Sequence, residues 1–174
     1  MGYSKTRLLT LVFLAATVPA LAIAQSVEHP LEVFGTLGVG QVYLDTNAFD
    51  HSAAGGGVRL QLSRRFAVQG DMLAIRWNDP GRQEEARFGH EHTRVGSFTI
   101  LGIDTSTNRI VRLYWLAGVS APLNGTAAPP VMPTIGFGAR ISLDERYFLA
   151  PEVRALATSL FRVSVSGGIA LGSR

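Results

Sequence analysis

Apolar and polar residues alternate one by one along most of this chain. Val58-Arg59-Leu60-Gln61-Leu62-Ser63 is the clearest run, and Phe161-Arg162-Val163-Ser164-Val165-Ser166 repeats it near the C-terminus. Ile135, Phe137, Ala139 and Ile141 alternate with Thr134, Gly136, Gly138 and Arg140 in the same way, as do Val111, Leu113, Trp115, Ala117 and Val119 with Arg112 and Tyr114. A period of two is that of extended strands, whose successive side chains leave opposite faces of a sheet. No long segment carries the 3.6-residue apolar stripe of a helix. The pattern predicts eight strands, near 32–44, 54–64, 66–77, 88–102, 109–120, 133–143, 147–157 and 161–171.

The first residues follow a different rule. Lys5 and Arg7 precede the apolar stretch Leu8–Val18. Pro19 follows, and then the small-residue run Ala22-Ile23-Ala24. That is the plan of a cleaved secretory signal peptide over residues 1–24. An uncleaved anchor would need a longer apolar stretch. The remaining 150 of the 174 residues form one domain, 25–174. Taking Lys5 and Arg7 from the 16 basic residues leaves 14 against 13 acidic ones, so the exported chain is near neutral. Nucleic acid is excluded as a partner, since backbone binding needs a clustered basic excess. With no Cys in the chain, thiol catalysis, cysteine-held metals and a lipidated cysteine are excluded as well.

The connections support closure of the eight strands into a barrel. A tight turn at Ser63-Arg64-Arg65 and another at Asp144-Glu145-Arg146 stand against longer connections around 46–53, 78–87 and 121–132. Short and long connections alternate in this way when one end of a membrane barrel is tight and the other carries surface loops. The short connection at Thr158-Ser159-Leu160 departs from that alternation. Roughly ten tilted residues per strand are enough to cross a bilayer. An even strand number puts both termini at the same end, expected to be periplasmic.

The C-terminal half, most closely over about its last sixty residues, resembles the small eight-stranded outer-membrane β-barrel superfamily, the OmpA/OmpX-like group, and the first half does so only by pattern. The resemblance rests on Tyr114-Trp115-Leu116-Ala117-Gly118-Val119, Gly136-Phe137-Gly138-Ala139-Arg140, Arg146-Tyr147-Phe148-Leu149-Ala150-Pro151-Glu152-Val153-Arg154 and Phe161-Arg162-Val163. Barrels of that group commonly end in an aromatic residue, whereas the last aromatic here is Phe161. The resemblance implies an all-β fold, a closed eight-stranded antiparallel up-and-down (meander) transmembrane barrel. It also implies an address in the cell outer membrane and a structural or surface-binding role.

In such a barrel the polar phase of each strand faces a narrow lumen. The expected lumen network comprises Arg59, Gln61, Gln69, Asp71, Arg112, Arg140, Glu152, Arg154 and Arg162. Glu152 and Arg154 are two apart and share a face. Buried charges of opposite sign are expected to pair with one another; a gated conduit is the other reading of the same set. The outward phase is expected to include Val58, Leu60, Leu62, Leu113, Trp115, Ile135, Phe137, Ile141, Val153, Val163 and Val165. Phe34, Tyr43, Phe66, Trp77, Tyr147 and Phe161 lie near strand ends, where interfacial aromatic girdles would sit. Phe66 and Trp77 have opposite parity, so either a bulge or an inward Trp77 is required.

Two other constellations carry residue types with chemistry of their own. His90, His92 and His51 have metal-ligand chemistry, but no alternation rule brings His51 to the other two, and rim histidines are the simpler reading. Asp50-His51-Ser52 has the residue types of a hydrolytic triad, yet adjacent residues rarely converge as catalytic partners do. No catalysis, cofactor or metal is therefore expected. The expected partners are outer-membrane lipid and an extracellular ligand met by the loops, with the chain itself a monomer. The alternatives are a soluble periplasmic β-barrel holding a small apolar ligand and a lipid-modifying outer-membrane enzyme.

Overall fold

The structure, a computed structural model, describes residues 31–44, 47–78, 92–105, 110–124, 131–156 and 160–172. Residues 1–24, the expected signal peptide, and His90 and Glu91 lie outside them. Eight strands follow one another: β1 (Leu31–Leu44), β2 (Asn47–Gln61), β3 (Phe66–Trp77), β4 (His92–Ile103), β5 (Val111–Pro122), β6 (Met132–Ser142), β7 (Tyr147–Leu156) and β8 (Leu160–Leu171). Each pairs antiparallel with the next, and β8 pairs with β1 to close the barrel. Closure leaves no strand edge unpaired, which is what a sheet needs where water is absent.

The expected strands recur with one substantial difference. Residues 47–53, expected in a long loop, belong to β2, and Leu44 pairs with Asn47. Asn47 to Gly57 has no apolar alternation of its own. It is held extended by backbone pairing with β1 on one side and, from His51 on, with β3 on the other. The long connections at this end, the loop end, are therefore 78–91 and 123–131.

The opposite, turn end is built by repetition. Leu62-Ser63-Arg64-Arg65-Phe66 and Leu143-Asp144-Glu145-Arg146-Tyr147 follow the same scheme. In the first, Ser63 Oγ accepts from the backbone N–H groups of Arg65 and Phe66, at 3.2 and 3.1 Å. In the second, Asp144 Oδ1 accepts from those of Arg146 and Tyr147, at 2.6 and 2.7 Å. A short polar side chain thus caps the N–H groups left over by each tight turn.

Facing follows parity around the whole barrel. Val58, Leu113, Trp115, Ile135, Phe137, Val163 and Val165 are exposed on the outside, and Ile141 and Val153 are half-buried there. Leu60 is a correction to the outward set. It lies on the outward phase but is buried, with the apolar side chains of Leu31 and Val68 as its register neighbours on that face. Leu62 is half-buried in the turn beyond β2. Among the described strand residues, the outward-facing charges are Asp50, Arg76 and Arg94, all at the loop end. Everything below them on the outer face is uncharged, as the hydrocarbon-facing band of a membrane barrel must be.

The aromatic girdle is also corrected. Phe66 and Tyr147 are exposed at the turn end together with Trp115 and Phe137, and Phe161 is exposed near the loop end. Phe34 and Trp77 instead point inward and are buried. The register through β3 is unbroken, so an inward Trp77, and not a bulge, resolves the parity conflict with Phe66.

Candidate functional site: a sealed polar lumen

The inward phase forms three layers. At the loop end Val42, Ala53, Ile75, Trp77, Val95, Met132, Leu156 and Leu160 pack together. At the turn end two apolar groups close the interior, Ala67, Leu101, Tyr114 and Leu116 in one and Phe34, Phe148 and Ala150 in the other. A polar layer of ion pairs lies between them at Asp71, Glu152 and Arg154 and reaches into the turn end itself, where Glu32 is nearer the end of β1 than Phe34 and where Arg59 and Arg140 stand over the rings of Phe34, Tyr114 and Phe148.

One continuous chain of side-chain bonds runs through that layer. Glu32 receives Arg59 Nη1 at 3.2 Å on one carboxylate oxygen and Arg140 Nε at 2.7 Å on the other. Arg140 also donates to Ser142 Oγ at 2.6 Å. Arg59 Nε donates to Gln69 Oε1 at 2.9 Å, and Gln69 Nε2 donates onward to Asp71 at 3.0 Å. Asp71 accepts from Arg154 Nη1 at 2.8 Å, while Arg154 Nε donates to Glu152. Glu152 finally accepts from the Tyr114 hydroxyl at 3.0 Å. Arg59 stands over the Tyr114 ring, 4.9 Å from its centroid, so the far end of the chain folds back onto its middle. Charges removed from water persist only with such partners, because their desolvation is costly.

Local sequence makes the crossing bonds possible. Gly138 pairs with Tyr114 on one side and Glu152 on the other. A Cβ at Gly138 would stand 2.6 Å from the Tyr114 hydroxyl oxygen. The phenol reaches Glu152 over a strand position that must lack a side chain. Hydroxyls fill the rest of the polar layer: Ser120 pairs with Ser97 at 2.9 Å and Thr134 at 2.6 Å, and Thr36 pairs with Ser166 at 2.7 Å.

The expected lumen residues do not all join the network. Arg59, Gln69, Asp71, Arg140, Glu152 and Arg154 do. Gln61 lies on the inward phase but donates to the Ser63 carbonyl at 3.1 Å, serving the turn. Arg112 is half-buried opposite Arg140 in the register, and the network's bonds do not reach it. Arg162 is buried beside Arg154, and its Nε and Nη1 have no hydrogen-bond partner. Glu32 and Tyr114 were missing from the expected set. The set held five arginines against two carboxylates, an imbalance that called for another acid on an inward phase.

His51 was expected at an exposed rim. It is instead wholly buried against Trp77, ring centroids 5.4 Å apart, and neither ring nitrogen has a partner. Gly40 lies between His51 and Arg162 in the register, and its missing side chain leaves room for both. Asp50 and Ser52 are on the outer phase, so the Asp50-His51-Ser52 run is split between opposite faces of the wall and assembles no triad. Among the described residues no group of three His, Asp or Glu side chains could hold a metal ion.

No protein-family model matches this sequence, and no curated protein matches it. Solved structures do. A designed transmembrane β-barrel aligns with a TM-score of 0.56 at 16% identity, over 81% of this chain and 94% of the design. The N-terminal β-barrel domain of Pseudomonas aeruginosa OprF aligns with a TM-score of 0.56 at 13% identity, over 82% of this chain and 98% of that domain. The chain has the fold of a small outer-membrane β-barrel. The attachment invasion locus protein Ail of Yersinia pestis, with a TM-score of 0.51 at 11% identity, covers 82% of this chain and 97% of its own. The shared feature is the closed eight-strand meander, and not a set of identical residues.

Proposed function

We propose that this protein is a monomeric outer-membrane barrel whose lumen is a structural core and whose work is done at its loop-end surface, without catalysis. The observation that carries the reading is the filling of the interior: buried ion pairs occupy the space between the apolar clusters of the two ends and reach in among those of the turn end, so the wall encloses a packed core. The uncharged outer band supports immersion in lipid. With β1 beginning and β8 ending at the turn end, that end would face the periplasm and the connections 78–91 and 123–131 would face outward. Loops on a rigid scaffold are where binding residues concentrate. A protein of similar fold, Ail, has been solved with the heparin analogue sucrose octasulfate, so such a scaffold can present a ligand surface.

The test is in two parts. The full chain is fractionated with the cell envelope and run on SDS gels with and without heating; a heat-modifiable band in the outer-membrane fraction is expected. It is then reconstituted in planar bilayers, where no ion conductance above the lipid background is expected. A soluble periplasmic protein without a heat shift would overturn the membrane reading. Steady conductance would overturn the structural lumen.

A further inference from the structure

The outer face carries a feature that immersion in lipid alone does not call for. Arg76 and Arg94 are exposed on the outward phases of β3 and β4. Arg94 pairs with Ala74, two residues before Arg76, so the two arginines are diagonal neighbours on one face. Such neighbours lie ~7–8 Å apart, within joint reach of one small anion. Among the described residues neither guanidinium has an ion-pair partner. The outward carboxylate nearest in the register, Asp50, accepts from Gln41 Nε2 at 2.9 Å.

A groove of about 670 Å³ begins at Arg76 and descends the wall. Its floor is made of short side chains, Ser52 and Ala54 on β2 and Ala74 on β3. Its sides include Leu37, Val39 and Val165. Ser52 pairs with Arg76, and directly below it Ala54 pairs with Ala74, so the β2–β3 seam narrows to a pair of methyl groups beneath the arginine. The result is an apolar channel on the lipid-facing surface with Arg76 at its upper end and Arg94 beside it on β4, outside the groove's own lining.

We infer that this seam binds one phosphate-bearing lipid, the phosphate held by Arg76 and Arg94 and an acyl chain lying along the Ala54–Ala74 groove. Guanidinium is the side-chain group best matched to phosphate, through paired charge-assisted hydrogen bonds. The loop end is where the headgroup layer would lie, and an unpaired arginine on the outer wall is favourable there only if an anion meets it. Charge and shape name the same occupant: the cations select the headgroup and the groove accepts the chain. The inference rests on the membrane reading above and adds to it a single, located lipid.

The full chain, refolded in zwitterionic detergent, is titrated with dipalmitoyl phosphatidic acid or dipalmitoyl phosphatidylcholine, and retained lipid is counted by native mass spectrometry. The two probes share their chains and differ in headgroup. One phosphatidic acid per barrel is expected, held more tightly than phosphatidylcholine and not displaced by inorganic phosphate. R76Q should weaken retention about fivefold, and R76Q with R94Q about 25-fold, at the usual worth of a basic side chain beside anionic lipid. A74F, which fills the groove, should weaken it with both arginines intact. Equal retention of the two probes, or undiminished retention by the double arginine variant, overturns the inference. Each variant is checked for the heat shift on SDS gels. A wild-type chain that lacks that shift and stays outside phosphatidylcholine vesicles overturns the membrane reading itself, an outcome distinct from loss of lipid selectivity.

Discussion

Tyr114 and Glu152 are joined by a 3.0 Å hydrogen bond that passes over the intervening strand at Gly138. The bond links the turn-end apolar layer, to which the Tyr114 ring belongs, to the ion pairs of the middle layer. Packing and polar satisfaction in this barrel are therefore one structure. Tyr114→Phe should cost about 1–3 kcal/mol, because Glu152 stays buried with one donor fewer. Gly138→Val should cost more, since its side chain would occupy the path of the phenol, and Tyr114→Phe should add little on that background. Urea unfolding from lipid vesicles measures both. Strict additivity of the two changes would show that the bond is not what Gly138 accommodates.

Arg154 and Arg162 face each other across β7 and β8, yet their surroundings differ. Arg154 holds Asp71 and Glu152. Arg162 is equally buried, with Nε and Nη1 unpaired. Arg154→Met strands two carboxylates and should cost ~3–5 kcal/mol. Arg162→Met removes a buried charge with little to lose and should leave stability within ~1 kcal/mol of the parent, or raise it. The same unfolding titration compares them. A larger loss at Arg162 than at Arg154 would contradict the assignment of Arg154 as the centre of the network.

Much of this could be read from the chain. Period two gave the strands, and parity gave the facing of Arg59, Asp71, Arg140, Glu152, Arg154 and Arg162, because a regular strand has no other way to place them. The failures have physical causes. Residues 47–53 are extended because neighbouring strands supply their hydrogen bonds, and a run whose one large apolar residue is Phe49, among Asn, Asp, His, Ser and Ala, carries no alternation to announce it. Phe34 and His51 carry residue types that suit a girdle or a rim, where parity alone turns them inward, and parity leaves Trp77 a choice between a bulge and an inward ring that only the register decides. Glu32 was missed for want of a charge count over the lumen. The crossing bond from Tyr114 to Glu152 depends on strand register, which no single strand's pattern contains.

The outer face predicts a depth dependence. Leu37 is central in β1 and 70% exposed, whereas Leu113 is the third residue of β5, close to the turn end. Arginine at the bilayer midplane costs about 2–4 kcal/mol and near the interface about 0–1 kcal/mol. Leu37→Arg should therefore be severe and Leu113→Arg mild when both are refolded into phosphatidylcholine vesicles. Equal costs at the two positions would show that the outer band is not spanned by hydrocarbon.

The two capped turns predict a difference in acid sensitivity. The Asp144 carboxylate is held below its ordinary value of 3.8, first by the backbone N–H of Tyr147 and then by that of Arg146. A depressed folded value means that the unfolded chain binds the proton more readily. The turn thus contributes its full stability above the ordinary value, begins to lose it near pH 3.8, and has lost it once pH falls below the lowered value. Ser63 makes the same two bonds with an uncharged hydroxyl. Asp144→Ser should keep the turn while removing this acid-sensitive contribution, and Ser63→Asp should introduce one at the other turn. Amide exchange of Tyr147 and Phe66, followed from pH 5 to pH 2, reads each turn separately. Identical acid profiles for Tyr147 in the parent and in Asp144→Ser would show that the carboxylate charge plays no part in the cap.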